Sequence, residues 1–196
     1  MATTLAAQTA ARHYDRAYYT QGPVHDAPYH LLQRLPLYRP HIRPQDELLD
    51  FGCSDGGVLA HLAARRKIGV EINPHARALA RSRGLNVLAT LDEVESTFSR
   101  IISGHCLEHI PNPAMTLERL RELLRADGLM ILNLPLNDCR DARHRQWRPG
   151  DENMHLHAWT PLTLGNLLWV CGFQPCSIRV VRRTYPARWG QSLAAR

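Results

Sequence analysis

The chain has 196 residues, 44% of them hydrophobic and 21% charged, which suits one ordinary globular unit with a single substantial core. No apolar run approaches the roughly 20 residues that a membrane-spanning helix needs. The opening MATTLAAQTAARHYDR lacks the basic start and apolar middle of a secretory signal, so a cytoplasmic location is expected.

Net charge is +6, and Lys67 is the single lysine among 24 basic residues. The arginines gather in two places, between Asp138 and Gly150 (Arg140, Arg143, Arg145, Arg148) and in the tail after Cys176. Such a surface attracts nucleic acid, phosphorylated substrates or anionic membranes, or is simply a solvated face. The five cysteines (53, 106, 139, 171 and 176) form no disulfide framework, which points to a reduced compartment. A zinc set drawn from Cys171, Cys176, His155 and His157 lacks tight ligand pairs and puts Cys171 on an apolar helix face, so no metal ligand is expected.

Residues 1–44 read as a helical cap: a helix, a turn at QGP (21–23), then a second helical stretch broken by Pro36 and Pro40. Tyr14, Tyr18 and Tyr19 form a candidate aromatic lid, though Tyr14 and Tyr18 also share a helical face that packing alone explains. DELLDF (46–51) reads as a buried strand, and GGVLAHLAARR as a helix with Val58, Leu59 and Leu62 on one side. KIGVE (67–71) is a second strand, followed by a helix opened by Pro74 and closed by Gly84.

A third strand is expected near Asn86–Leu88 and a fourth at RIISG (100–104). Asn112 and Pro113 start a helix expected to stop at Gly128, before the strand LMILNL (129–134). Thr160 and Pro161 start the last helix, through Cys171 to Gly172, and a final strand is expected within PCSIRVV. Strands alternating with helices predict an α/β, Rossmann-like doubly wound and mostly parallel sheet of six or seven strands, one unit over 45–196. Ligands of such sheets bind beyond the carboxyl ends of the strands.

LLDFGCSDGG (48–57) raises the functional question. Its glycines fit neither G-x-x-x-x-G-K-[ST] nor G-x-G-x-x-G, so neither a phosphate loop nor a dinucleotide turn is present. Asp50 and Asp55 put negative charge where a pyrophosphate would be repelled and a cation welcomed. Glu71 ends the second strand, where an acid accepts hydrogen bonds from ribose hydroxyls. A ribose joined to a cationic, amino-acid-like group describes S-adenosylmethionine.

With IGVEINPHA, IISGHCLEHIPNP and LLRADGLMILNLP following in order, the chain resembles the seven-stranded class I S-adenosylmethionine-dependent methyltransferases, over residues 46 to 183. It is most similar to the small methyltransferase-domain families that act on small molecules. The resemblance implies that Asp50, Gly52, Cys53 and Gly56 line the methionine half of the cofactor and that Glu71 holds the ribose. It further implies that Ile72 and Asn73 border the adenine, Leu91 and Asp92 meet its edge, and Ser103, Gly104 and His105 flank the sulfonium. Ser54 departs from the pattern, standing where the family has a second glycine.

Methyl transfer to oxygen also needs a proton acceptor, and a histidine tuned near neutrality suits that task. His105, His109, His155 and His157 compete for it. His109 recurs in the resembling families whatever their substrate, which suits a shaping or capping role as well as a catalytic one. His155 and His157 face one way if HLHAW is extended, and they are the best candidates for acceptor contact. The expected acceptor is a small, possibly anionic molecule such as a sugar or glycan precursor, met by the arginines of 138–150. A nucleic-acid methyltransferase is the first alternative, but SGHCLEH replaces the N/D-P-P-Y/F signature of amino-methylating DNA enzymes, so nucleic acid is not the expected partner. A non-catalytic cofactor-binding subunit is the second.

Overall fold

Strand β1 (Glu47–Phe51) lies at the centre of a parallel sheet, between β2 (Arg66–Val70) and β4 (Phe98–Gly104). Strand β3 (Asn86–Leu88) pairs beyond β2, and β5 (Leu124–Asn133) beyond β4, giving the order β3-β2-β1-β4-β5. The chain therefore reverses direction across the sheet between β1 and β4, the switch point where ligands of such sheets bind. The computed structural model describes residues 28–136, 146–147 and 154–181.

Among the described residues the sheet has five strands, not the six or seven expected. The segment read as a last strand, PCSIRVV, runs unpaired through Val181. Among the described residues its apolar side chains are poorly covered: Ile178, Val180 and Val181 are exposed, and Pro175 has no N–H to give a ladder.

Leu48 and Leu49 are both fully buried, on opposite faces of β1. Leu49 and Phe51 pack with Leu117 and Leu120 of α4 (Pro113–Leu123) and with Leu168 of α5 (Pro161–Val170). Leu48 packs with Leu35 and Tyr38 of α1 (Pro28–Tyr38), Leu59 of α2 (Gly57–Ala60) and Ala80 of α3 (Pro74–Ser82). Helices thus cover both faces, as expected of a doubly wound sheet, and each buried leucine contributes about 1.5–3 kcal/mol.

The caps fall where Asn112–Pro113 and Thr160–Pro161 placed them, and Asn73, expected beside the adenine, is a cap as well. Asn73, Asn112 and Thr160 each accept a backbone N–H in the first turn of α3, α4 and α5. Three boundaries need correction. Pro36 does not break the second helical stretch, because α1 runs through it to Tyr38. The helix after β1 is a single turn: the N–H groups of Arg65 and Arg66 donate to the carbonyl of Asp46 at 2.9 and 3.5 Å, drawing the chain into β2. Helix α4 ends at Leu123 rather than Gly128, because buried Leu124 already pairs with Phe98; residues 125–128 bulge before Leu129 resumes opposite Arg100. No helix among the described residues is long and apolar enough to cross a membrane.

Candidate functional site

The turn after β1 is held by backbone before any side chain acts. The N–H groups of Gly52 and Cys53 donate to the carbonyl of Val70 at 2.8 and 3.1 Å. Gly52 has φ +76°, and a β-carbon there would stand 2.6 Å from Cys106 Sγ, so only glycine fits. Ser54 follows in the same left-handed region at φ 54°, and its N–H donates to Glu71 Oε2 at 3.0 Å. The N–H of Asn73 donates to Oε1 of the same carboxylate at 2.8 Å.

Glu71 is thus fixed between two sequence blocks, with acceptor capacity left for a further donor. Burial pushes its carboxyl up, against the pull of the N–H groups of Asn73 and Ser54. Asp50 is also buried, and burial pushes its carboxyl up to about 7, opposed by Arg34 and reinforced by Glu71. Asp50, Gly52, Cys53 and Gly104 line one crevice together with Arg34 and Tyr38 of α1.

The other expected cofactor residues divide by what their side chains do. Cys53 turns its thiol into the core against Gly69, where a β-carbon would stand 2.5 Å away, leaving backbone to the crevice. Gly56, at φ +76°, is required by packing, since a β-carbon would meet Leu85 Cδ1 at 2.4 Å. Ile72 is exposed at the end of β2, whereas the Asn73 side chain is occupied capping α3, accepting from His75 and Ala76 at 2.8 and 3.0 Å.

Leu91 and Asp92 lie on a 3-10 turn after β3, the first half-buried and the second exposed. Ser103 is buried and donates to the Phe51 carbonyl at 2.8 Å, joining β4 to β1. Gly104 lies beneath Tyr38, and His105 (φ 54°) extends the ladder through its N–H to the Asn133 carbonyl at 2.8 Å. Asp55 is not available to a ligand in the way its sequence position suggested. One oxygen accepts the Gly57 N–H at 3.0 Å and the other pairs with Arg83 at 2.7 Å, pinning the turn to α3.

A second polar cluster lies beyond β4, on the 3-10 turn Leu107–His109. The carbonyl of Glu108 accepts from Leu156 and His157 at 2.7 and 3.2 Å, which docks the HLHAW segment against the turn. This brings two of the four competing histidines together: the rings of His109 and His155 meet edge-on with centroids 4.9 Å apart. His157 turns differently, with Nε2 2.9 Å from the Ile110 carbonyl and its ring 5.6 Å from that of Trp159. Burial lowers the His109 pKa, against the opposing pull of Glu108.

Arg34, Tyr38 and Glu108 were not singled out from the sequence. The side chain of Glu108 is fully buried, and among the described residues neither carboxylate oxygen has a hydrogen-bond partner. Asn133 Nδ2 and Trp159 Nε1 are buried donors also without a hydrogen-bond partner among the described residues. A buried glutamate leaves no periodic signal, but LEH within an apolar frame was the available hint. Tyr14, Tyr18 and Tyr19, and Arg140, Arg143, Arg145 and Arg148, lie outside the described residues.

Known proteins match this chain along the same elements. A family model described as a methyltransferase domain matches residues 23–178. Ajmaline N-methyltransferase of Rauvolfia serpentina is 27% identical over 132 residues, covering 59% of this chain and 42% of its own. The chain spans less than half the length of the curated relatives it matches. A solved structure from Thermotoga maritima, a possible histamine N-methyltransferase, shares the fold with a TM-score of 0.62 at 18% identity, covering 86% of this chain and 80% of that one. DhpI in complex with SAH gives a TM-score of 0.64 at 19% identity, with 87% and 89% covered.

Proposed function

The chain belongs to the methyltransferase-domain family, and from that premise we propose that it catalyses methyl transfer from S-adenosylmethionine to a small-molecule acceptor, by O-methylation of a sugar, glycan precursor or similar metabolite. The observation that carries this reading is the Glu71 carboxylate, locked by the N–H groups of Ser54 and Asn73 beside the crevice that holds Asp50.

The residues present fit the cofactor. Glu71 is an acceptor held at the strand end where ribose hydroxyls donate, and exposed Ile72 offers an apolar edge to adenine, with Leu91 and Asp92 at the neighbouring strand end. Asp50 and Arg34 put opposite charges in one crevice, which suits the ammonium and carboxylate of an amino acid. Gly52, Cys53 and Gly104 supply backbone walls there, and Ser103 and Gly56 hold those walls in place. The bound cofactor supplies an electrophilic methyl group on a sulfonium leaving group. The protein aligns the acceptor, keeps water out and takes up a proton.

His105, His109 and His155 stand beyond β4 at the acceptor end, with His157 close behind on the same segment. Changing His155 and His157 together to alanine abolishes transfer and spares cofactor binding; surviving turnover would remove both from the reaction. The reading as a whole is tested by calorimetry with S-adenosylhomocysteine, followed by a screen of hydroxylated and phosphorylated sugars. A protein that does not bind the demethylated cofactor is not a methyltransferase of this kind.

A further inference from the structure

Glu108, His109 and His155 each offer one ligand atom, and the three atoms lie within 4.8 Å of one another. We propose that they bind a divalent first-row transition-metal ion beside the methyl-transfer centre, where it holds and acidifies an acceptor hydroxyl.

The strongest reason is Glu108. A fully buried carboxylate whose two oxygens lack a hydrogen bond among the described residues is costly in its charged form, and a bound cation removes that cost. His105 Nδ1 and His109 Nε2 stand 3.6 and 3.8 Å from Oε1, within ion-pair range when an imidazole is protonated but too far for hydrogen bonds. His109 Nδ1 faces the Met154 carbonyl at 3.4 Å. A carbonyl only accepts, so that contact puts the ring proton on Nδ1 and leaves Nε2, the nitrogen facing Glu108, as the basic one. A histidine whose outer nitrogen is fixed by a carbonyl is the usual arrangement of a metal ligand. The His155 ring completes the set, edge-on to His109.

Two imidazoles and one carboxylate form a donor set suited to zinc, iron, cobalt or manganese, with positions left open for substrate oxygen. The cluster follows β4 at the carboxyl edge of the sheet, on the same strand end as Ser103 and Gly104. An ion there acts as a Lewis acid on the acceptor. The oxygen lone pair forms the new O–C bond, the C–S bond breaks with its electrons passing to sulfur, and the hydroxyl proton passes to a histidine outside the ligand set, His105 or His157. Sequence spacing concealed the set, because His155 reaches it only through the docking of Leu156 and His157 on the Glu108 carbonyl.

The catalytic use of the ion rests on the methyltransferase reading, but its binding does not. The test titrates the chelator-treated full chain with Co2+, followed by visible absorption, and with Zn2+ and Mn2+ by calorimetry. One equivalent should bind, and Glu108→Gln and His155→Ala should each weaken it at least about tenfold. His41→Ala, on the turn after α1, should change nothing. Glu108→Gln preserves side-chain shape, and its affinity for S-adenosylhomocysteine reports that the fold is intact. Absence of stoichiometric binding, or equal affinity in wild type and Glu108→Gln, overturns the metal site. Intact cofactor binding in that case leaves the transferase reading standing, whereas metal binding without cofactor binding removes the transferase reading and keeps the site.

Discussion

The N–H of Ser54 donates to Glu71 Oε2 at 3.0 Å, so the turn after β1 and the acid at the end of β2 are one unit. Removing the carboxylate therefore frees the turn and, on the proposed reading, also removes the acceptor of the ribose hydroxyls. Hydrogen bonds to a charged group contribute about 1.5–3 kcal/mol each. With two hydroxyls involved, Glu71→Ala should weaken S-adenosylhomocysteine binding by at least about a hundredfold. Calorimetry measures this directly, and wild-type affinity in the variant would refute the assignment of Glu71 to the ribose.

The buried position of Asp50 gives cofactor binding a pH dependence. Its carboxyl is pushed from 3.8 up to about 7 by burial, with Glu71 adding to the rise and Arg34 opposing it. Because the folded-state pKa lies above the unfolded one, this group favours the fold most at pH below about 3.8, and that contribution is lost as pH rises through about 7. An ammonium group against Asp50 favours the ionised form instead. Cofactor affinity should therefore rise between pH 6 and 8 while the stability of the free protein falls through the Asp50 contribution. Binding at pH 6.5 should release a proton, read as a dependence of the calorimetric heat on buffer ionisation enthalpy. Asp50→Asn should lose both effects; a proton release unchanged in that variant assigns the titration elsewhere.

Much of this was legible before folding because it is local. The runs at β1 and β4 are apolar on both faces, and Asn–Pro and Thr–Pro pairs announce helix starts wherever they fall. Asp50, Gly52 and Glu71 were legible because the turn and the acid lie at strand ends that any parallel sheet gathers together. What stayed hidden depends on partners remote in sequence. The brevity of α2 follows from the Asp46 carbonyl capturing Arg65 and Arg66. Whether PCSIRVV pairs depends on the sheet edge it meets, not on its own β-branched residues. Glu108 reads in sequence as one more charged residue, and only the docked HLHAW segment and the surrounding core make it buried.

Ser54 carries a local cost that substitution should relieve. It holds φ 54°, a region where a side chain costs about 1–2 kcal/mol, and its buried hydroxyl has no hydrogen-bond partner. Glycine removes both penalties and adds back part of the difference as unfolded-state entropy. Ser54→Gly should stabilise the protein by about 1 kcal/mol, a rise in Tm of roughly 2–4 °C for a chain of this size. The bond from the Ser54 N–H to Glu71 is backbone and survives the change. Denaturant unfolding measures the difference, and a loss of stability would show that the Ser54 side chain supports the turn.

Tyr38 and Gly104 should prove coupled. The Tyr38 hydroxyl donates to the Ser103 carbonyl at 3.2 Å and occupies the space where a β-carbon on Gly104 would stand 2.6 Å away. Gly104 does not need a left-handed backbone, so among the described residues alanine there meets only the Tyr38 side chain. Gly104→Ala should cost about 1–3 kcal/mol by overpacking. Tyr38→Phe should cost about 1 kcal/mol for the lost hydrogen bond. The double variant should be scarcely less stable than Tyr38→Phe alone, because the ring carbon that remains stands 3.8 Å from the new methyl group. A coupling energy of about 1 kcal/mol or more in the cycle is the expected sign of this contact. Simple additivity would place the cost of Gly104→Ala in the backbone instead, and would detach α1 from the carboxyl end of β4.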